Sequence, residues 1–284
     1  MKEDYDLAVA YRIYPQMPKK QMAIDTQDKL RFSEICLRSF KKSLGSLKVK
    51  MWVVLGDCPA EYEALFLKYF DEKDLDFARA IGNRESFASQ IEYLANQNDA
   101  EIVYFAEDDY FYQSNQFVEM IEFLKCHSDV HFIAPYDHSE YYTLDICNHK
   151  YEIREHSTHH WRTVIATTLT FLTTKQILAK TKKTLYKYSN SPAWDYSVWM
   201  SMTKYGVFNP FKTIKYRISD PHCYQMIKET WSWCWKQTLF GRRWKLWVPM
   251  PSIATHMEKK FLAPCIDWEK IFAQEILEEN KVVN

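Results

Sequence analysis

The feature that most constrains the fold is an alternation of strand-like and helical segments in the first part of the chain. The runs "DLAVAYRIY" (6–14) and "KVKMWVVL" (48–55) are short, apolar and rich in β-formers, and residues 29–44 between them carry apolar side chains at helical spacing. Two more helical segments precede the strand-like run at 100–107. Strands that alternate with helices form parallel sheets covered on both faces. We therefore predict an α/β fold with a mostly parallel central sheet flanked by helices.

The second half of the chain has a more mixed pattern. Strand-like segments at 130–137, 163–173 and 206–211 are interspersed with helical ones. No Pro-, Gly- or Ser-rich linker and no repeat divides the chain, so its 284 residues predict a single domain. The segment 221–255 contains five tryptophans, and we expect a long functional loop around one helix there.

Composition excludes several classes of protein. The 37 basic and 37 acidic residues leave no net charge, which argues against a nucleic-acid-binding protein. The seven cysteines are scattered and never spaced C-x-x-C, so neither a disulfide framework nor a zinc ribbon is expected. Dinucleotide-binding and phosphate-binding glycine motifs are also missing. Without a signal-like or membrane-spanning segment, the sequence predicts a cytoplasmic protein, with peripheral docking at the inner face of a membrane as an open alternative.

Three consecutive acids, Glu107, Asp108 and Asp109, end the strand-like run at 100–107. Ligands of open α/β sheets bind beyond the carboxyl ends of the strands, so the position is suited to a site. Adjacent carboxylates are costly unless a cation compensates them, and Mg²⁺ or Mn²⁺ prefers carboxylate oxygens completed by phosphates and water. The triplet therefore predicts a metal–diphosphate site, with a solvated acidic turn as the alternative.

With these motifs together, the chain resembles the nucleotide-sugar-dependent glycosyltransferases of the GT-A fold, in particular the bacterial family-2-like enzymes. The matching stretches follow the family's order from residue 9 to residue 258. They are "VAYRIYP" (9–15), "VVLGDCP" (53–59), "GNRESFASQIEYLA" (82–95), "IVYFAEDDYF" (102–111), "SPAWDYSVW" (191–199) and "PSIATHME" (251–258).

The resemblance implies a division of the domain and a set of site residues. It implies a nucleotide-sugar-binding half (1–112), an acceptor-binding and catalytic half (113–258) and a C-terminal helix or tail (259–284). Asp109, His256 and Glu107 are implied as metal ligands, with Asp108 or Glu107 instead holding the ribose or a metal-bound water. The residues implied to bind the nucleotide are Arg12, Asp57, Asn83, Arg84 and Asp108.

Asp195 is the candidate general base, because an inverting transfer needs a carboxylate to remove the proton of the acceptor hydroxyl. The alternative is that Asp195 only caps the helix that follows. Asp137 and Asp145 are reserve candidates for this role. Arg242 and Arg243 stand in the Trp-rich segment, which we expect to close over the donor and to neutralise charge on the leaving diphosphate.

The sequence thus predicts a metal-dependent glycosyltransferase. It would use Mn²⁺ or Mg²⁺ to transfer a sugar from a nucleotide-sugar donor, with UDP favoured, to a glycan or lipid-linked sugar acceptor in surface polysaccharide synthesis. Two alternatives stay open: a metal-dependent nucleotidyltransferase or phosphohydrolase, which clustered carboxylates with a histidine also suit, and a non-catalytic carbohydrate-binding protein built on the Trp/Arg segment.

Overall fold

The computed structural model describes residues 5–80 and 82–282. The strands of this part of the chain are β1 (Leu7–Ile13), β2 (Val49–Gly56), β3 (Leu75–Ala80), β4 (Ile102–Glu107), β5 (Tyr110–Tyr112), β6 (Phe132–Ile133), β7 (Ile153–His156), β8 (His159–Val164), β9 (Phe171–Thr174), β10 (Leu246–Met250) and β11 (Ala254–His256). Nine of them form one sheet in the order β3-β2-β1-β4-β9-β6-β10-β8-β7, while β11 and β5 form a separate pair.

The helices connect these strands and cover the sheet. They are α1 (Lys29–Leu44), α2 (Glu61–Tyr69), α3 (Gly82–Asn96), α4 (Phe117–Cys126), α5 (Glu140–Thr143), α6 (Lys175–Asn190), α7 (Asp195–Thr203), α8 (Pro210–Ser219), α9 (Pro221–Phe240) and α10 (Trp268–Val282). None of the helices within the described residues is long and apolar enough to cross a membrane.

The sheet confirms the predicted α/β class, and its two halves differ in strand direction. β3, β2, β1 and β4 are parallel neighbours, and so are β6 and β10. β9 and β8 run the opposite way and make the second half mixed. The carboxyl ends of β1, β2 and β4 therefore lie side by side at one end of the sheet, where a ligand site is expected.

A hydrophobic core lies on each face of the sheet. In β1, Leu7, Val9 and Tyr11 point into the core formed with α1, α2 and α4, whereas Ala8 and Ala10 point into the core formed with α3, α6, α7 and α9. The two-residue alternation of a strand produces this division. Because both faces are covered, β1 is apolar at almost every position.

Two sequence predictions for the second half were wrong. The segment at 206–211 is not a strand: Asn209 accepts a hydrogen bond from the main-chain N–H of Lys212, and Pro210 occupies the first turn, so α8 begins here. The Trp-rich segment 221–255 contains the expected helix but not the long loop around it. Asp220 and Pro221 begin the 20-residue helix α9 in the same way, and β10 follows it.

Candidate functional site

The carboxyl ends of β1, β2 and β4 border a cavity of about 630 Å³. This volume lies within the range of small-molecule sites in proteins. The sequence-predicted residues that line it are Arg12, Asp57, Asn83, Glu107, Asp108 and Asp109. Lys29, at the first turn of α1, and Lys19, in the loop after β1, add positive charge to the same cavity.

Glu107 is held by contacts within the protein. Arg12 and Glu107 are partners in the pairing of β1 with β4, and the Arg12 guanidinium donates to Oε1 of Glu107 in a mostly buried ion pair. The hydroxyl of Thr170 donates to Oε2 at 2.8 Å. Both carboxylate oxygens of Glu107 are thus engaged within the protein, so Glu107 holds Arg12 and the strand ends. Its ligation of a metal stays a prediction.

Replacing Glu107 with Ala is expected to lower the free energy of unfolding by about 3–5 kcal/mol, because removal of one partner leaves a buried charge uncompensated. Chemical denaturation measures this change. Asp76→Ala is the matched control, because its pair with Lys50 is exposed on the Asp76 side and such pairs contribute about 1 kcal/mol or less. Equal losses in the two variants would contradict the structural role of Glu107.

Asp108 is balanced by a lysine that sequence reasoning did not identify. Nζ of Lys29 lies 2.7 Å from Oδ2 of Asp108, and the main-chain N–H of Tyr14 donates to the same oxygen at 3.2 Å. Burial raises the pKa of Asp108, and Lys29 opposes that shift. The sequence indicated this partner of Asp108 only through the position of Lys29 at the start of the helix after β1, and many lysines occupy such positions.

Asp109 and His256 are brought together by the pairing of β5 with β11. Nε2 of His256 lies 3.1 Å from Oδ2 of Asp109, and the main-chain N–H of Glu258 donates to Nδ1, which orients the ring. Burial disfavours the charged carboxylate, but His256, Lys29 and Arg12 outweigh it and lower the pKa of Asp109 to about 2. Asp109 is thus an anion near neutral pH.

The second carboxylate oxygen of Asp109, Oδ1, is buried and has no hydrogen-bond partner. A carboxylate oxygen buried without a hydrogen-bond donor is costly, and Asp109 is part of the cavity lining, so this oxygen is a candidate acceptor for a bound ligand. Within residues 5–80 and 82–282, no group of three or more His, Cys, Asp or Glu side chains is arranged to hold a metal by itself. Asp109 and His256 fit a divalent ion that completes its coordination with phosphates and water.

Asp57, after β2, and Asn83, in α3, both line the cavity. Asp57 follows β2 with a positive φ of 56°, an unfavourable conformation for a non-glycine residue that is often found at functional sites. Its side chain is exposed, so its carboxylate is available to a ligand. Asn83 is oriented by Arg12 and by the hydroxyl of Tyr188, to which its side-chain amide donates at 2.9 Å.

Asp195 is the first residue of α7, a position where the helix dipole favours a negative charge. Its carboxylate accepts from the main-chain N–H of Tyr196 at 2.7 Å. Burial nevertheless raises the pKa of Asp195 to about 6; Glu107 adds to this effect and Arg12 opposes it. Asp195 is not among the residues that line the cavity. A carboxylate with this pKa is suited to general base chemistry near neutral pH.

Arg84 has a different place from the one predicted. It is absent from the cavity lining and donates instead to the main-chain carbonyls of Tyr188, Ser191 and Ala193. These bonds fix the segment that leads into Asp195. Its predicted nucleotide contact is therefore corrected to support of the α6–α7 connection.

Arg242 and Arg243 lie away from the cavity, at the opposite end of the strands. They precede β10, and the start of β10 lies level with the start of β4. Strand pairing shows this, because the first residue of β10 pairs with Phe132, Phe132 pairs with Thr173, and Thr173 pairs with Val103. Arg242 contacts His131, and Arg243 donates to the carbonyl of Thr203 at 2.9 Å. The prediction that they neutralise the leaving group is corrected, because the length of the strands separates these arginines from the cavity at the carboxyl ends.

The reserve acids are both engaged in ion pairs. Asp137 is buried 2.8 Å from Arg162 and accepts from the hydroxyl of Tyr142. Asp145 pairs with Lys215 of α8 at 3.0 Å. Asp195 is therefore the better candidate for the base.

Comparison with known proteins gives the following. No family model and no curated protein sequence matches the chain. Among solved structures, the chain is similar to 4-diphosphocytidyl-2C-methyl-D-erythritol synthase from Anaerococcus prevotii, with 12% identity, a TM-score of 0.43 and coverage of 96% of this chain and 99% of that one. It is also similar to galactosyltransferase LgtC in complex with donor and acceptor sugar analogs, with 9% identity, a TM-score of 0.40 and coverage of 78% and 83%. Scores this low do not bear on function, which is inferred from the site itself.

Proposed function

We propose that the protein is a glycosyltransferase that transfers a sugar from a nucleoside diphosphate donor, UDP-sugar by preference, to a hydroxyl of a glycan or lipid-linked acceptor in surface polysaccharide synthesis. The observation that supports this most is the buried, unpartnered Oδ1 of Asp109, a residue that lines the cavity beyond the parallel strands and contacts His256 through its other carboxylate oxygen. An anionic oxygen in this state fits a metal–diphosphate ligand.

Different residues of the chain bind the different parts of the donor. Asp57 accepts a hydrogen bond from a base N–H, which uracil offers, and the oriented amide of Asn83 binds the ribose or base. Lys29 offsets the negative charge of Asp108 and of the nearby diphosphate. Asp109 and His256 would hold the divalent ion, Mn²⁺ or Mg²⁺. Neutralisation of the departing diphosphate is the chemistry that such an ion supplies.

The transfer step requires a base on the acceptor side. Asp195 takes the proton of the acceptor hydroxyl while that oxygen bonds to the anomeric carbon, and the bond from that carbon to the diphosphate oxygen breaks with its electron pair leaving on the diphosphate. Trp194, exposed beside Asp195, offers an apolar ring face on which an acceptor sugar can stack. Arg84 keeps this segment in place.

Product analysis tests the proposal. With Mn²⁺ and a panel of UDP-, GDP-, CDP- and dTDP-sugars, we expect release of the nucleoside diphosphate from one donor, UDP-sugar first, and no release when EDTA is present. The diphosphate is measured by chromatography. Pyrophosphate released from a nucleoside triphosphate, with no diphosphate from any sugar donor, would instead favour a nucleotidyltransferase and contradict the proposal.

A further inference from the structure

Helix α8 turns an apolar face to solvent. Phe211, Ile214 and Ile218 are 83%, 61% and 82% exposed, and their spacing of three and four residues puts them on one side of the helix. Tyr216 is the one buried residue of α8. An amphipathic helix in a globular protein normally packs its apolar stripe against the core. Here the stripe faces outward.

The neighbouring helix α9 extends this apolar surface. Phe208 and Ile214 line a shallow cavity of about 400 Å³ together with Trp231 of α9. Beyond a kink of α9 at Cys234, Trp235 and Leu239 are half-exposed, and the ring of Phe240 lies 6.3 Å from that of Trp235. We define the α8–α9 surface by its apolar members: Phe208, Phe211, Ile214, Ile218, Trp231, Trp235, Leu239 and Phe240.

The charges around the α8–α9 surface are mainly positive. Residues 210–240 include five basic side chains, at 212, 215, 217, 228 and 236, and two acidic ones, at 220 and 229. Asp220 caps α9, and Glu229 accepts from the hydroxyl of Tyr196, so both acids are engaged. Lys212 and Lys215 pair with Asp145, which leaves the basic side chains at 217, 228 and 236. Arg217 and Lys228 are exposed, and neither has an ion-pair partner among the residues that the structure describes.

We propose that the α8–α9 surface docks on a lipid bilayer that contains anionic headgroups. Apolar side chains would enter the boundary between headgroups and acyl chains, and tryptophans favour that depth. Arg217 and Lys228 would contact the anionic headgroups, as lysine and arginine near anionic membranes do.

The charge pattern favours a bilayer over a second copy of the chain. In a symmetric dimer the same surface would face itself, so its basic residues would gather in one interface that brings no acidic partners from the other copy. Protein interfaces are also depleted of lysine relative to other surfaces, whereas lysine is common on membrane-bound amphipathic helices. Mixed apolar and basic residues on one helical hairpin therefore match an anionic membrane best.

Vesicle co-sedimentation of the full chain tests this inference. We expect binding to phosphatidylcholine vesicles that contain phosphatidylglycerol and much weaker binding to phosphatidylcholine alone. The double variant Phe211→Ser/Ile218→Ser should reduce the bound fraction on the order of tenfold or more, because two exposed apolar anchors are lost. Arg217→Glu/Lys228→Glu should reduce it about fivefold per charge at low salt. Leu67→Ser is the matched control; Leu67 is an exposed apolar residue of α2, on the opposite face of the sheet.

The test separates docking from its alternatives. All four substituted positions are exposed, so the variants should unfold at the wild-type temperature, which circular dichroism verifies. Wild-type protein that stays in solution with both vesicle types would overturn the proposal. So would a wild-type dimer in sedimentation velocity without lipid that Phe211→Ser/Ile218→Ser converts to a monomer, since that result identifies self-association. Neither readout depends on transferase activity, so the inference can fail independently of the proposed function.

Discussion

In the Asp109→Asn variant, affinity for UDP in the presence of Mn²⁺ is expected to fall by about 100-fold or more. Loss of a residue that only supports a metal ligand already costs about 10–100-fold in metal affinity, and the amide replaces a charged oxygen that we assign to the metal itself. Isothermal titration with UDP and Mn²⁺ measures the change. His256→Gln should show a loss in the same direction, because the two side chains lie 3.1 Å apart and are assigned to one ion.

Two controls make this prediction specific. Asp76→Asn alters an exposed carboxylate of β3 and should bind UDP like the wild type. UDP titrated with EDTA present should bind weakly to the wild type and to Asp109→Asn alike, since the aspartate is expected to act through the ion. If Asp109→Asn kept wild-type affinity with Mn²⁺ while folding normally, the assignment of Asp109 would be wrong.

The second large effect is expected at Asp195. The Asp195→Asn variant should bind UDP normally and lose about 10²- to 10⁴-fold in turnover, the range that general base catalysis contributes. In the wild type, the base works only as the carboxylate. With the pKa of Asp195 raised to about 6, kcat/KM should therefore fall about tenfold per pH unit below pH 6 and level off above it. The variant should lack this inflection.

Asp145→Asn is the matched control for the base, because Asp145 pairs with Lys215 at the protein surface. It should keep wild-type turnover and the same pH profile. Normal transfer by Asp195→Asn would remove Asp195 from the base role and leave it as a residue at the start of α7. An unchanged inflection near pH 6 in that variant would likewise show that another group titrates.

Much of the first half of the fold could be predicted from local pattern. The apolar spacing at 29–44 matches α1 at both ends, because Asp28 caps its start and Gly45 adopts a positive φ at its end. The strand run before the acids likewise gives β4. β3 was not predicted, since Asp76 and Arg79 interrupt its apolar pattern at the edge of the sheet.

The separate roles of the three acids could not be read from their order. The pairing of β1 with β4 places Arg12 beside Glu107, and α1 brings Lys29 to Asp108. Of the three acids, only Asp109 has a buried carboxylate oxygen without a hydrogen-bond partner. These differences arise from contacts between residues distant in sequence, which a single strand-end motif does not encode.

The position of Arg242 and Arg243 shows the same limit. Their closeness in sequence to His256 suggested a shared site, but β10 separates them from β11 and carries the chain along the length of the sheet. A residue that precedes a strand and a residue that follows it therefore lie at opposite ends of that strand. The direction of β10, set by its pairing with β6, was not evident from the sequence.

The thermal unfolding midpoint of the wild-type chain with UDP tests the central claim most directly. A ligand that binds only the native state raises the midpoint, and more so the higher its affinity. A ligand concentration near 100 times Kd corresponds to about 3 kcal/mol, or roughly 5 °C for a chain of this size. We predict such a rise with UDP and Mn²⁺ together and little change with UDP and EDTA. An equal rise in both conditions, or none in either, would contradict a metal–diphosphate site at Asp109 and His256.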